Sequence, residues 1–377
     1  MKHFIVCVPV GAGEAASKSP GKYEVDAMSG RLLRWGIIGC GVIGAQHARA
    51  LAEVEECQCV ACMDANSAVA ESFAGQHGIP AFYDELPKML AEAKPDAVSV
   101  CTPSGAHQEV CLQAAAGGCH LLVEKPIEIA LAAADRIIEA CRRNRVKLGV
   151  VFQRRMAIIP QSVKRAVAEG LLGDLVLGDA HIKYYRPQSY YDGAGWRGTW
   201  ALDGGGALMN QGIHTVDLLQ WIMGPIASVT AHYDTLAHNC EVEDTVVAII
   251  RYASGALGTL VGTTCCNPAY GHRLEIHGKK GTIMIQGDMR AGDRIVHAGF
   301  DEAAAAFDAA SLNGRKPDPA DGFPGGHALH VKDMYEAIVN DREPAVPGTE
   351  ARKSLEVVLA IYRSAREKRA IELPLTD

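Results

Sequence analysis

Trp35 to Ile38 is an unbroken apolar run, and it leads into Gly39-Cys40-Gly41-Val42-Ile43-Gly44. A short apolar run without polar alternation reads as a strand buried on both faces. From Val42 through Ala52 the apolar residues recur at helical spacing. G-x-G-x-x-G between such a strand and such a helix has a physical meaning. The first glycine permits a tight turn, the second lets backbone approach a pyrophosphate, and the third lets helix and strand pack closely. The helix start adds unpaired N–H groups and a partial positive charge. Loops match this pattern by chance, so context decides. The next apolar run, Val60-Ala61-Cys62-Met63, ends in Asp64, about 20 residues after Gly44. That is where a dinucleotide fold keeps its ribose-binding acid. A nicotinamide dinucleotide site is expected, with a purely structural turn as the competing reading.

The chain has 377 residues, enough for two domains and a large core. Its net charge of −7 argues against a nucleic-acid binder. No apolar run approaches the length of a membrane span. Of twelve cysteines, most sit inside apolar runs, Cys62, Cys101, Cys111 and Cys141 among them. That pattern fits reduced, buried thiols and a cytoplasmic protein rather than a disulfide framework. Cys57-x-Cys59-x-x-Cys62 has the look of a metal cluster, but it leads into a core strand without a second ligand pair. No metal site is expected. Residues 1–29 carry a short apolar run, Phe4 to Val10, then a Gly-, Ala- and Ser-rich stretch. They read as a disordered extension, with a feeble signal peptide as the alternative and Met28 as an alternative start.

Between 34 and 152 strand and helix signals alternate, which indicates an α/β doubly wound parallel sheet covered on both faces. Helices are expected over Ser67–His77, Glu85–Ala93 with Asp84 as N-cap, Gly105–Ala116 and Leu131–Arg143. Past residue 153 the grammar changes. Long β-branched runs are joined by hairpin signals, as in Thr245–Tyr252 with Ala256–Thr264, and Arg273–His277 with Thr282–Gln286. A C-terminal α+β domain with a large, mostly antiparallel open sheet is expected. Gly287 to Asp321 reads as irregular. Helices near His327–Asn340 and Glu350–Lys368 follow, and Ile371-Glu372-Leu373 reads as a last strand. The division is 1–29 extension, 30–152 cofactor domain, and 153–377 substrate and oligomer domain. The final helix and strand are candidates to return to the first domain.

Ligands of open α/β sheets bind beyond the carboxyl ends of the strands. Those ends carry Asp64, Thr102-Pro103-Ser104 with His107, Glu124-Lys125-Pro126 and Gln153-Arg154-Arg155. Asp64 suits a ribose diol and repels a 2′-phosphate, which favours NAD over NADP. Lys125 suits stabilisation of a developing alkoxide, or is a plain surface lysine. The second constellation runs from Asp203-Gly204-Gly205-Gly206 through Asn210 and His214 to Asp217. Asn210 and His214 are four apart, on one face of a helix, and Asp217 is spaced to orient the imidazole. A histidine suits proton removal from an alcohol, and a satisfied core histidine is the equal alternative. Tyr184, Arg186, Trp196 and Arg197 lie in aromatic stretches interleaved with charge. Such residues suit a polyhydroxylated ring, a carboxylate or phosphate, or an interface.

These motifs, in this order, resemble the glucose–fructose oxidoreductase / inositol dehydrogenase (Gfo/Idh/MocA) family, from about residue 34 to the C-terminus. The resemblance rests on the glycine turn, Thr102-Pro103-Ser104 with His107, Glu124-Lys125-Pro126, and Gly204-Gly205-Gly206 through His214 and Asp217. It implies a Rossmann domain, a second domain with a large open sheet, and NAD(P)-linked oxidation or reduction of a sugar or cyclitol. It also implies a homodimer or homotetramer. Lys125 matches the family's lysine and His214 its catalytic histidine. Position 210 is aspartate in inositol dehydrogenase-like members and asparagine here. Asn210 cannot take a proton, so His214 is left as the general base, with Lys125 assisting. The cofactor would meet Gly39, Gly41, Val42, Ile43, Gly44, Asp64, Thr102, Pro103, Ser104, His107, Glu124, Lys125 and Gln153. The substrate would meet Arg155, Tyr184, Arg186, Trp196, Arg197, Asn210 and His214. The expected enzyme is an NAD-dependent dehydrogenase of a secondary hydroxyl on a sugar, glycoside or cyclitol. A keto-sugar reductase, an NAD-dependent glycosidase and a non-catalytic cofactor-binding regulator are the alternatives.

Overall fold

A computed structural model describes residues 32–193, 195–288, 292–300 and 326–376. The extension expected over 1–29 lies outside them.

The first half builds a six-stranded parallel sheet from β1 (Leu33–Ile38), β2 (Cys57–Met63), β3 (Phe82–Tyr83), β4 (Ala97–Val100), β5 (His120–Val123) and β6 (Leu148–Val150). The spatial order is β3-β2-β1-β4-β5-β6, so the winding reverses between β1 and β4. That reversal opens a crevice at the strand ends, where dinucleotides bind in this topology. β1 is buried throughout except for the half-exposed Arg34, as an apolar run covered on both faces must be. Five helices cover the sheet: α1 (Val42–Glu53), α2 (Ser67–His77), α3 (Leu86–Ala93), α4 (His107–Ala116) and α5 (Leu131–Asn144). Asn66 caps α2 by accepting the N–H groups of Ala68 and Val69. Asp84 does not cap α3, which begins one residue later behind Glu85 without a side-chain cap.

Two short helices, α6 (Gln153–Met156) and α7 (Ile158–Ala168), lead to the second sheet. Its strands are β7 (Leu175–Lys183), β8 (Ile226–Asp234), β9 (Thr245–Tyr252), β10 (Leu257–Thr263), β11 (Gly271–Gly278), β12 (Gly281–Asp288), β13 (Gly292–Phe300) and β14 (Ile371–Glu372). The order is β13-β12-β11-β7-β10-β9-β8-β14, antiparallel except between β7 and β10. Both expected hairpins form. Val246, Ala248 and Ile250 alternate inward from β9 while Val247 and Ile249 point out. The inner face packs on α9 (Ile213–Met223), which follows α8 (Gln188–Asp192), and on α11 (Gly348–Glu367), which follows α10 (Gly326–Val339).

Two expectations change. Gly292–Phe300, read as irregular, is the edge strand β13 paired with β12. Only Ile295 of β13 is buried, so its sequence lacks the apolar alternation of a core strand. The last strand, β14, does not return to the first sheet: Ile371 and Glu372 pair with Val229 and Ser228 of β8. The final helix α11 does reach the first half, packing on α5 and β6, and α10 packs across α1. No helix among the described residues is long and apolar enough to cross a membrane.

Candidate active site

The glycine turn is built as its spacing requires. Gly39 has a φ of +95°, and a Cβ there would lie 2.7 Å from the Cys101 carbonyl. A Cβ on Gly44 would lie 2.3 Å from the Gly39 oxygen, whereas one on Gly41 meets nothing within 4 Å. The turn is therefore tight on the protein side and open on the ligand side. Asp64 faces it from the end of β2. Its Oδ2 accepts the Cys40 N–H and its Oδ1 the Asn66 N–H, each at 3.0 Å.

A cleft of about 1130 Å³ starts at this turn and runs past Asp64, Thr102-Pro103-Ser104 and Glu124-Lys125. It ends among Tyr184, Tyr190, Trp196, Arg197, Asn210 and His214. One continuous space thus joins the strand ends of the first sheet to the second half of the chain. Val42, Ile43 and Gln153 line it as well.

At its inner end the side chains converge. The Lys125 Nζ donates to the Asn210 carbonyl at 3.0 Å and approaches Asn210 Oδ1 at 3.5 Å. Asn210 Nδ2 donates to Asp203 Oδ1 at 2.7 Å. Asn210 rides on a π-helical turn, Ala207–Gly212, which runs directly into α9 and its His214. Such wide turns are frequent at functional sites. His214 is buried edge-on to the Phe152 ring, with centroids 5.6 Å apart. Burial, reinforced by the Lys125 and Arg154 charges, holds its imidazole well below the usual histidine range. It is neutral at neutral pH, the form that accepts a proton. Burial also lowers the Lys125 ammonium, while the Glu124 and Asp203 carboxylates push it back up.

Glu124 lies beneath this lysine. Its Oε1 meets His47 Nε2 at 3.1 Å and His327 Nε2 at 3.0 Å, and its Oε2 accepts the Lys125 N–H at 3.2 Å. His327 comes from α10, so a distant segment of the chain braces the Lys125 loop. These two histidines hold the Glu124 carboxyl well below its ordinary range against the opposing effect of burial. Gln153 Nε2 lies 3.2 Å from His327 Nε2 and extends this network.

Gly44 and Arg186 are not part of the cleft lining, and three further residues sit differently from the sequence reading. His107 is behind the wall, not on it: Nδ1 faces the Pro126 carbonyl at 3.0 Å and Nε2 the Thr102 carbonyl at 3.0 Å. It ties the two ligand-facing loops together. Arg155 points into the core, where Asp217 and Glu350 hold it, so it does not line the cleft. Asp217 is committed to Arg155 and Ser354 rather than turned to orient His214. Arg154, one position earlier on α6, is the arginine that reaches the cleft. Its guanidinium meets Asp293 at 3.0 Å and the Tyr184 hydroxyl at 3.3 Å. Successive helical residues point about 100° apart, so the sequence held no signal for which of the pair turns inward. Asp203, Gln211, His47 and His327 were likewise without roles in the sequence reading.

Arg186 and Arg197 flank the Tyr190 ring, with guanidinium carbons 5.2 and 4.4 Å from its centroid. Gln211 fixes this group by donating to the Tyr190 hydroxyl at 2.7 Å and accepting from Arg186. The buried Nε of Arg197 has no acceptor among the described residues.

Residues 33–152 match the oxidoreductase family with an NAD-binding Rossmann fold, and residues 161–284 match the GFO/IDH/MocA C-terminal domain. The chain belongs to the Gfo/Idh/MocA family. It is an NAD-binding oxidoreductase. A myo-inositol 2-dehydrogenase from Thermotoga maritima is 25% identical over 346 residues, covering 90% of this chain and 98% of that protein. A D-glucoside 3-dehydrogenase from Escherichia coli is 32% identical over 212 residues, covering 55% of this chain and 59% of the relative. Among solved structures, the WlbA dehydrogenase from Bordetella pertussis in complex with NADH and UDP-GlcNAcA superposes with a TM-score of 0.83. It is 34% identical, with 92% of this chain and 99% of that one covered. The open side of Gly41 and the anchored Asp64 suit this family's dinucleotide, its pyrophosphate at the turn and its ribose at the carboxylate.

Proposed function

We propose that this enzyme oxidises a secondary hydroxyl of a sugar acid, with NAD as hydride acceptor, and that the sugar is carried on a nucleotide. The observation that carries the reading is the Arg197 guanidinium. It stands at the inner end of the cleft, beside Lys125 and Arg186, and its buried Nε has no partner among the described residues. A buried unpaired cationic donor is costly, and a carboxylate on the substrate relieves that cost. The neighbour solved with UDP-GlcNAcA, a ligand of that chemical class, supports the same reading.

In this reading NAD accepts the carbinol hydride. His214 takes the hydroxyl proton, and the Lys125 ammonium donates to the oxygen as negative charge grows there. Asn210 holds Lys125 through its carbonyl and side-chain oxygens and does not itself move a proton. Tyr184, Arg186, Trp196 and Arg197 are assigned to the substrate. Residues 30–152 are assigned to the cofactor, and 153–377 to substrate and assembly. The outer face of the second sheet exposes Val247, Ile249 and Leu257 side by side, which supports a homodimer or homotetramer. Eleven thiols without a disulfide among the described residues support a cytoplasmic location.

The test is NADH formation with a panel of free hexoses, inositols, neutral UDP-sugars, free uronic acids and UDP-linked uronic acids. Turnover restricted to the acids is the expected result, and Arg197→Leu should then raise KM for them by roughly tenfold to a hundredfold. Turnover on neutral sugars alone overturns the assignment.

A further inference from the structure

Asp203 stands immediately before the glycine run, almost fully buried. Its two oxygens have separate tasks. Oδ2 accepts the Gly198 N–H at 2.9 Å, which anchors the loop carrying Trp196 and Arg197. Oδ1 accepts Asn210 Nδ2 at 2.7 Å. A side-chain amide has a donor end and an acceptor end. With Nδ2 committed to Asp203, Oδ1 is turned toward the Lys125 ammonium at 3.5 Å, and Gln211 Nε2 approaches that same oxygen at 3.4 Å. The orientation of Asn210 is therefore set from behind by a carboxylate that is not part of the cleft lining.

We infer that Asp203 is a positioning residue whose ionised form aims the Asn210 amide oxygen at Lys125 and whose protonation reverses that amide. A protonated Oδ1 becomes a donor. It then asks Asn210 for its oxygen, and the amide turns to give it. Nδ2 would next face the Lys125 ammonium, donor against donor. The lysine loses its side-chain acceptor and keeps, among the described residues, the Asn210 carbonyl. Asn210 carries no acid of its own, and this arrangement supplies a carboxylate one hydrogen bond further back. The inference rests on the proposed roles of Lys125 and Asn210.

The change falls within an accessible pH range. Burial pushes the Asp203 carboxyl up to about 6, opposed by the Gly198 N–H, the Asn210 amide, and the Lys125 and Arg197 charges. The other titratable groups facing it are Tyr190 and Tyr362. Both phenols stay protonated here, since burial raises each of them, and Tyr362 donates to Glu243. Burial and the Lys125 and Arg154 charges hold the His214 imidazole well below its usual range, which favours its neutral form.

The deciding experiment is a pH titration of the side-chain amide signal of Asn210 in the full-length, NAD-loaded protein labelled with 15N. The signal is identified by its loss in Asn210→Ala. It should shift with a midpoint near pH 6, and Asp203→Asn should abolish the shift. A signal that does not move between pH 5 and 7.5, or moves equally in Asp203→Asn, overturns the inference. If Asp203→Asn does not fold, the wild-type titration decides alone. This readout needs no substrate, so it stands apart from the sugar-acid reading. With an active substrate in hand, kcat should climb through pH 6 in the wild type. In Asp203→Asn that limb should vanish and kcat should fall about tenfold or more, with KM nearly unchanged.

Discussion

Asp217 grips Arg155 with both oxygens, at 2.6 Å from Nε and 2.7 Å from Nη2, on the buried side of the helix that carries His214. The Ser354 hydroxyl adds a third bond at 2.6 Å, so α6, α9 and α11 meet at one carboxylate. Removing Asp217 leaves the buried Arg155 with Glu350, at 3.3 Å, as its remaining carboxylate among the described residues, so the loss is at most about 3–5 kcal/mol. Asp217→Ala is expected to unfold at markedly lower urea, with the loss read from the denaturation midpoint and slope. Replacing both partners, as in Arg155→Met with Asp217→Leu, should recover much of that stability. A double variant as unstable as the single one would mean that the pair matters for more than mutual neutralisation.

Asp64 is held by two backbone N–H groups, which fixes its carboxylate in front of the glycine turn. A charge set there welcomes a ribose diol and opposes a 2′-phosphate. Asp64→Asn keeps an oxygen for the Cys40 N–H and deletes the charge. The expected result is a rise of about tenfold in the ratio of kcat/KM with NADP to that with NAD. An unchanged ratio would remove Asp64 from cofactor choice.

His214 and Lys125 are expected to carry the chemistry. His214→Ala should lose roughly 10²–10⁴-fold in kcat, the usual contribution of a positioned general base. NADH binding, followed by its fluorescence, should stay within a few-fold of wild type. Lys125→Met should behave similarly in kcat, because it deletes the only ammonium beside Asn210 among the described residues. Wild-type turnover in His214→Ala would assign the proton to another group.

These sites differ in how far the sequence revealed them. The glycine turn, Asp64 and the parallel sheet were legible because each depends on local spacing. Gly44 must lack a Cβ because the Gly39 oxygen is there, and no neighbour distant in sequence enters that statement. Lys125, Asn210 and His214 were legible only through family resemblance. Without the resemblance, composition favoured a surface lysine at Lys125, and the spacing left His214 evenly divided between a general base and a core histidine. The supporting residues were not legible at all. Glu124 is braced by His327 across more than 200 positions, and the choice of Arg154 over Arg155 for the cleft is a matter of helix rotation. The edge strand β13 was missed for the complementary reason, since a strand with a single buried residue carries no burial pattern.

Glu243 gives a pH-dependent prediction away from the chemistry. It is fully buried behind the glycine run. Its Oε2 accepts the Gly206 N–H at 2.7 Å, and its Oε1 accepts the Leu208 N–H at 2.9 Å and the Tyr362 hydroxyl at 2.8 Å. Burial outweighs these donors and pushes its carboxyl from 4.5 up to about 7. The folded chain thus keeps a proton through a range where the unfolded chain has released it. Stability from this group is fully present below pH 4.5 and is lost as pH rises toward 7. The gap is about 2.5 units (about 7 less 4.5), or on the order of 3 kcal/mol. Glu243→Gln is neutral at every pH and leaves one backbone N–H without its acceptor, which costs about 1–3 kcal/mol. The variant should therefore be less stable than wild type at pH 5 and close to it at pH 8. Urea midpoints at the two pH values measure this directly. An equal deficit at both would show that Glu243 is ionised throughout, its charge held by the two N–H groups and the Tyr362 hydroxyl.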